Sequence, residues 1–136
     1  MKTISLWQPW ASAIALGLKR IETRGWATKY RGPLAIHAAL IRDESGRDCF
    51  SRYREAFAEK GQINFVKLPF GAIVATCRLA DCVPVERIRM NLSERELGLG
   101  GYDAGRFAWL LEDVKALPQP IPFKGRQGFF DCPLVD

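Results

Sequence analysis

The densest set of chemistry-bearing side chains runs Gly17-x-Lys19-x-x-Glu22-x-Arg24, with Arg31-Gly32 close behind. Glu22 and Arg24 stand two residues apart on what reads as a strand, so their side chains point to the same side. Lys19 has the opposite parity and joins them only if the chain is still turning out of a cap at Gly17. Two cations and one carboxylate meeting there suit two kinds of chemistry. In a binding site, Lys19 and Arg24 hold a phosphate or a base edge, while Glu22 orients one of them or accepts from a base amino group. In a catalytic site, a partly buried Lys19 with a lowered pKa is the nucleophile or base, and a carboxylate handles protons. Against both stands a plain surface ion-pair ladder, worth under about 1 kcal/mol.

Further candidates surround this motif. Trp7, Gln8 and Trp26 adjoin it in sequence, and Trp7 or Trp26 suits a stacking platform for an unpaired base, worth ~1–3 kcal/mol. The alternative for both is to close one end of a core, and Trp10 belongs to an apolar helical face. His37 is the sole histidine. It faces away from Leu34 and Ile36 on its strand and fits either a general acid–base in a metal-free nuclease or a hydrogen-bonded structural residue. Lys124, Arg126 and Gln127 lie between Gly125 and Gly128, where a bare backbone can approach a phosphate. Tyr102, in a glycine-rich stretch, either folds over a base or stands in solvent. Arg47, Arg52 and Arg54 read as a solvated helix face.

The charge distribution agrees with an anionic partner. The 136 residues carry a net +5, yet residues 1–54 hold 10 basic and 4 acidic side chains, and residues 55–136 hold 10 and 11. A basic excess concentrated in the first part of the chain points first to nucleic acid, although the same charge also serves solubility. Cys49, Cys77, Cys82 and Cys132 form no C-x-x-C pair, and one histidine is too few for a tetrahedral zinc site. The cysteines therefore read as reduced, mostly buried hydrophobes, with no metal and no cofactor expected. No apolar run is long enough to span a bilayer and the N-terminal residues lack signal-peptide character, so the expectation is a cytoplasmic protein, monomeric by default.

The elements that must position these residues are short. Lys2–Leu6 alternates as a strand, Gln8-Pro9-Trp10 opens a helix stopped by Gly17, and Lys19–Trp26 and Pro33–Leu40 read as strands. Asp43–Gly61 is the longest helical candidate, with Phe50, Tyr53 and Phe57 on one face. Ala72–Ala80 and Phe107–Val114 read as strands. Asn91–Arg106 reads as a mobile glycine-rich loop, with a short helical turn at Ser93–Leu97. Pro118, Pro120 and Pro122 hold an extended lead into a last strand, Phe129–Cys132. With no regular strand–helix alternation, the pattern predicts a single α+β, mostly β domain over residues 1–136: a small, largely antiparallel barrel with two to three peripheral helices.

Taken together, Ser5-Leu6-Trp7-Gln8-Pro9-Trp10-Ala11-Ser12, the segment Gly17–Arg24, Arg31-Gly32, Ile36-His37-Ala38, the strand Gly71–Cys82 and the ending Pro122–Gly125 resemble the ASCH (activating signal cointegrator 1 homology) domain of the PUA-like superfamily. The resemblance implies a PUA-like β-barrel with a cleft beside the helix that ends at Gly17, lined by Lys19, Glu22 and Arg24, and binding nucleic acid, chiefly RNA. It also implies an alternative, since some relatives are small metal-independent hydrolases acting on RNA or on N4-acetylcytidine. Lys19 matches the lysine of the latter. Glu22 stands where that enzyme has a threonine, and Glu94 or Glu96 would have to supply its downstream glutamate. The binding set expected from residues and resemblance together is Lys19, Glu22, Arg24, Arg31, Trp7, Gln8, Trp26, Lys124, Arg126 and Gln127. Lys19 and Glu22, with His37 behind them, are the catalytic candidates.

Overall fold

A computed structural model describes all residues from Met1 to Asp136. Six strands form one mixed sheet: β1 (Lys2–Leu6), β2 (Ile21–Arg24), β3 (Gly32–Ala38), β4 (Ala72–Pro84), β5 (Phe107–Pro122) and β6 (Phe130–Asp131). Their spatial order is β2-β5-β4-β3-β1-β6. The one parallel pair is β1 with β3, which sets Ser5 opposite His37, and every other pair is antiparallel. Four short helices, α1 (Trp10–Ala15), α2 (Glu44–Arg52), α3 (Arg54–Glu59) and α4 (Glu94–Gly98), lie outside the strands. The α+β, largely antiparallel class matches the expectation, with more and shorter helices.

The sheet is not closed, because β2 and β6 are its two ends. Side chains bridge the seam that remains. The Arg24 Nη2 on β2 donates to the Ser5 carbonyl on β1 at 2.9 Å. Trp26, just past β2, meets Trp109 and Phe129 edge-on at ring separations of 4.9 and 5.5 Å. Lys2 stands 5.1 Å over the Phe129 ring from the other side. Edge-on contacts and cation–π contacts are each worth about 0.5–1.5 kcal/mol, and because they join side chains rather than backbones they leave an opening here.

Two apolar clusters support the sheet. Ile4, Leu34, Ile36, Leu79 and Trp109 are fully buried between the sheet and α1. Ala13, Phe50, Phe57, Phe65 and Leu99 pack under the helices. Trp10 is half-buried and touches both clusters rather than sinking into one. Cys49, Cys77 and Cys132 are buried and free, and Cys82 is half-buried, as their spacing suggests.

Several boundaries differ from the expectation. The helix over 43–61 is broken at Tyr53, whose φ of −108° and ψ of 24° end α2 and start α3. In one straight helix Phe50 and Phe57 would be separated by about 10 Å along the axis. The break lets their rings meet at 4.8 Å. The strand expected to end at Ala80 runs to Pro84, and the proline segment belongs to β5 rather than leading out of it. Because proline donates no ladder hydrogen bond, the β4–β5 register slips where Ile73↔Ile121 gives way to Ala75↔Ala116. The strand expected over 19–26 is only Ile21–Arg24, which frees Lys19 from strand parity.

The glycine-rich stretch before Arg106 is not a free loop. Ser93 caps α4 by accepting from the Glu96 amide at 3.1 Å, and Leu99 is fully buried. Gly101 then donates to Thr23 Oγ1 at 2.8 Å, while Arg106 clasps the Gly101 and Thr23 carbonyls. Those bonds hold the segment against β2 at Thr23.

Candidate nucleic-acid interface at the seam

Lys19 enters the site because Gly17 turns the chain. Gly17 takes φ +79°, and the Leu18 and Lys19 amides both fold back to the Ala13 carbonyl. The Lys19 side chain therefore points inward and is 1% exposed. Its Nζ donates to the Leu99 carbonyl at 2.7 Å and stands 3.9 Å from Glu22 Oε1. Burial pulls its pKa below the ordinary lysine value, with Glu22 and then Glu96 opposing the shift. Glu22 Oε2 lies 3.7 Å from Arg24 Nε, and Glu22 Oε1 accepts from the Thr23 amide at 3.1 Å. Burial also lowers Arg24, with Glu22 opposing and Arg106 adding to the shift. Arg24 Nε is buried with no hydrogen-bond partner. The trio is thus a desolvated cluster and not a surface ladder.

Arg24, Ser5, Trp7 and Trp26 line two lobes of one cleft at the seam. The smaller lobe, about 610 Å³, adds Lys19, Glu22, Gly100 and Arg106. The larger, about 1000 Å³, adds His37, Lys124, Arg126 and Gln127, with Leu40 and Phe123 on its rim. Trp7 and Trp26 are 43% and 37% exposed, high for tryptophan beside a cavity. The Lys124–Gly128 loop and the Lys19–Arg24 motif, a hundred residues apart in sequence, share this cleft through the common wall of Arg24 and the two tryptophans.

Other candidates lie elsewhere. Gln8 is 1% exposed and spends its amide on the Ser12 amide and hydroxyl and the Pro69 carbonyl, so it shapes the turn into α1 rather than the cleft wall. Arg31 is drawn away by the Thr28 and Tyr30 carbonyls and by Asp81 at 3.3 Å. Glu96 accepts from the Arg20 amide and lines a separate cavity with Lys19. Tyr102 packs with Ile21 and Val85; its hydroxyl is buried without a partner, and burial raises its pKa. Arg47, Arg52 and Arg54 are exposed, Arg47 lying 5.2 Å over Phe65.

Three residues of the site carry no signal in the one-dimensional pattern. Arg106 lies eighty residues from the motif it clasps. Thr23 faces away from Glu22 and Arg24 on its strand. Ser5 lies on β1, but its partner His37 is visible only once β1 pairs with β3.

The family model of the ASCH domain matches residues 4–121. The chain belongs to the ASCH domain family. Activating signal cointegrator 1 of Homo sapiens is 25% identical over 124 residues, and that of Mus musculus 51% over 123. Each match covers 90% of this chain and 20% of the relative, so the chain spans about a fifth of those proteins. Among solved structures, the ASCH protein of Zymomonas mobilis aligns with a TM-score of 0.57 at 19% identity, covering 95% of this chain and 85% of that one. A point variant of the same protein aligns equally well and is covered to 87%. The likeness confirms the ASCH fold.

Proposed function

We propose that this ASCH domain, acting as a single unit, binds single-stranded or structured RNA in the seam cleft. The observation that carries the reading is the larger lobe, where two exposed tryptophans stand among Arg24, Lys124 and Arg126. Aromatic platforms between cations are what an unpaired strand requires: the rings stack bases, and the cations follow the phosphates. Arg24 is the central contact, with Glu22 orienting it from 3.7 Å. Lys19, held by Leu99, acts as a buried charge behind the wall rather than as a mobile phosphate hook. The test is anisotropy of a short labelled RNA over a salt series. Log affinity is expected to fall linearly with log salt, and Lys124→Ala with Arg126→Ala to flatten that slope by about 0.7 per phosphate contact removed. Binding that ignores salt, or a double variant identical to wild type, would defeat the reading.

The second reading is a metal-independent hydrolase acting on RNA or a modified nucleoside. It is favoured by one observation, a lysine with a lowered pKa facing a carboxylate in the smaller lobe. Turnover of labelled RNA or of N4-acetylcytidine in EDTA, abolished in Lys19→Ala, supports it. Absence of turnover on both substrates removes it.

A further inference from the structure

The larger lobe contains a hydrogen-bond chain whose direction is determined by its inner end. The Phe123 carbonyl only accepts, so its contact with His37 Nε2 at 2.6 Å places a proton on that nitrogen. In the neutral imidazole, Nδ1 then carries a lone pair, and the 2.9 Å contact there makes the Ser5 hydroxyl the donor. The ring is 2% exposed and held edge-on against Phe130, so the pair keeps one geometry. Ser5 has thus spent its single proton inward and keeps only acceptor lone pairs, on a half-buried side chain that lines both lobes. Its backbone is pinned by Arg24 at 2.9 Å. Gly125 leaves the hydroxyl uncovered: a β-carbon there would lie 2.5 Å from His37 Cε1 and 3.2 Å from Ser5 Oγ.

We propose that Ser5 accepts a hydrogen bond from the ribose 2′-hydroxyl of a bound nucleotide, and that the Ser5–His37 pair selects RNA over DNA. The inference rests on the nucleic-acid reading of the cleft. Its placement argues for the sugar. Trp7 and Trp26 offer base platforms, Lys124 and Arg126 offer phosphate contacts, and Ser5 shares a wall with both sets, where a sugar joins base to phosphate. An acceptor without a proton to give requires a donor. The 2′-hydroxyl supplies one, whereas a 2′-hydrogen or a 2′-O-methyl group supplies none. His37 is a positioning residue, because it acts only by holding the Ser5 proton.

The experiment titrates the full chain with one short single-stranded sequence made as RNA, as DNA and as 2′-O-methyl RNA. Wild type, Ser5→Ala and Ser5→Thr are compared, with thermal melts showing that each variant folds. Wild type is expected to prefer RNA over both other forms by about five- to tenfold, the effect of one hydrogen bond. Ser5→Ala should bring the three forms together, and Ser5→Thr, which keeps the hydroxyl on a strand-compatible side chain, should retain the preference. Equal binding of the three forms by wild type overturns the proposal, as does a preference that survives in Ser5→Ala. Should Ser5→Ala weaken all three forms alike, the acceptor meets a base amino group and the sugar assignment falls. Salt-dependent binding without discrimination defeats this inference alone, whereas no binding of any form defeats the nucleic-acid reading and this inference with it.

Discussion

Lys19 keeps an ammonium group out of water beside a carboxylate, and that has a measurable consequence. Burial lowers its pKa from the ordinary 10.5, with Glu22 and Glu96 opposing but not cancelling the shift. Between the lowered folded value and the unfolded value near 10.5, the unfolded chain binds more protons, so stability rises with pH across that window and levels off above it. The difference in denaturation midpoint between wild type and Lys19→Met should therefore move in favour of wild type as pH rises toward 10.5. A difference that stays flat would show the ammonium to be well solvated. The trio itself was readable from spacing. Its burial was not, because the wall over Lys19 comes from Leu99 and Gly100, eighty residues away.

At the scale of elements, the turn at Gly17 and the latch at Thr23 decide whether the cleft forms. Gly17 sits at φ +79° in open space, so Gly17→Ala should cost only the backbone preference, about 1 kcal/mol in a urea melt. Thr23 is different. Its hydroxyl takes the Gly101 amide at 2.8 Å and is buried, so Thr23→Val leaves that amide without an acceptor. The expected cost is about 1–3 kcal/mol, with faster amide exchange at Gly101 and its neighbours than in wild type. Unchanged exchange there would mean that the segment is held by Arg106 alone. Helix α1, its glycine stop and most strands were legible, since caps and alternation are local signals. The break at Tyr53 and the slip in β5 were not, because ring packing between Phe50 and Phe57 and pairing to β4 are set by other parts of the chain.

Across the whole molecule, the four cysteines report on how tightly the layers close. Burial pushes the Cys77 thiol up to about 12 and raises Cys49, and Cys132 is buried as well. Only Cys82 is half-buried. Native alkylation near neutral pH, followed by mass spectrometry, should modify Cys82 first and leave the other three until the protein unfolds. Early labelling of Cys77 would mean that β3 and β4 separate readily. The sheet itself stays open between its end strands, β2 and β6, and there Arg24, reaching the Ser5 end of β1 past the short β6, and the tryptophans leave the cleft open.

The family was legible in the sequence as a resemblance, and the fold class and the chemical character of the motif followed from local residue types and their spacing. It also marked Lys124, Arg126 and Gln127 as a second polar cluster, since glycines and charges declare themselves without partners. Only the tertiary structure decided that this cluster and the motif share one cleft, that Gln8 turns inward, and that Arg31 is engaged elsewhere. It alone paired Ser5 with His37 and set the Phe123 carbonyl against the other ring nitrogen, the contact from which the direction of the Ser5–His37 bond is inferred. The physical reason is the seam: which side chains meet across an unpaired edge depends on how six strands curve, and no short stretch of sequence encodes that curvature.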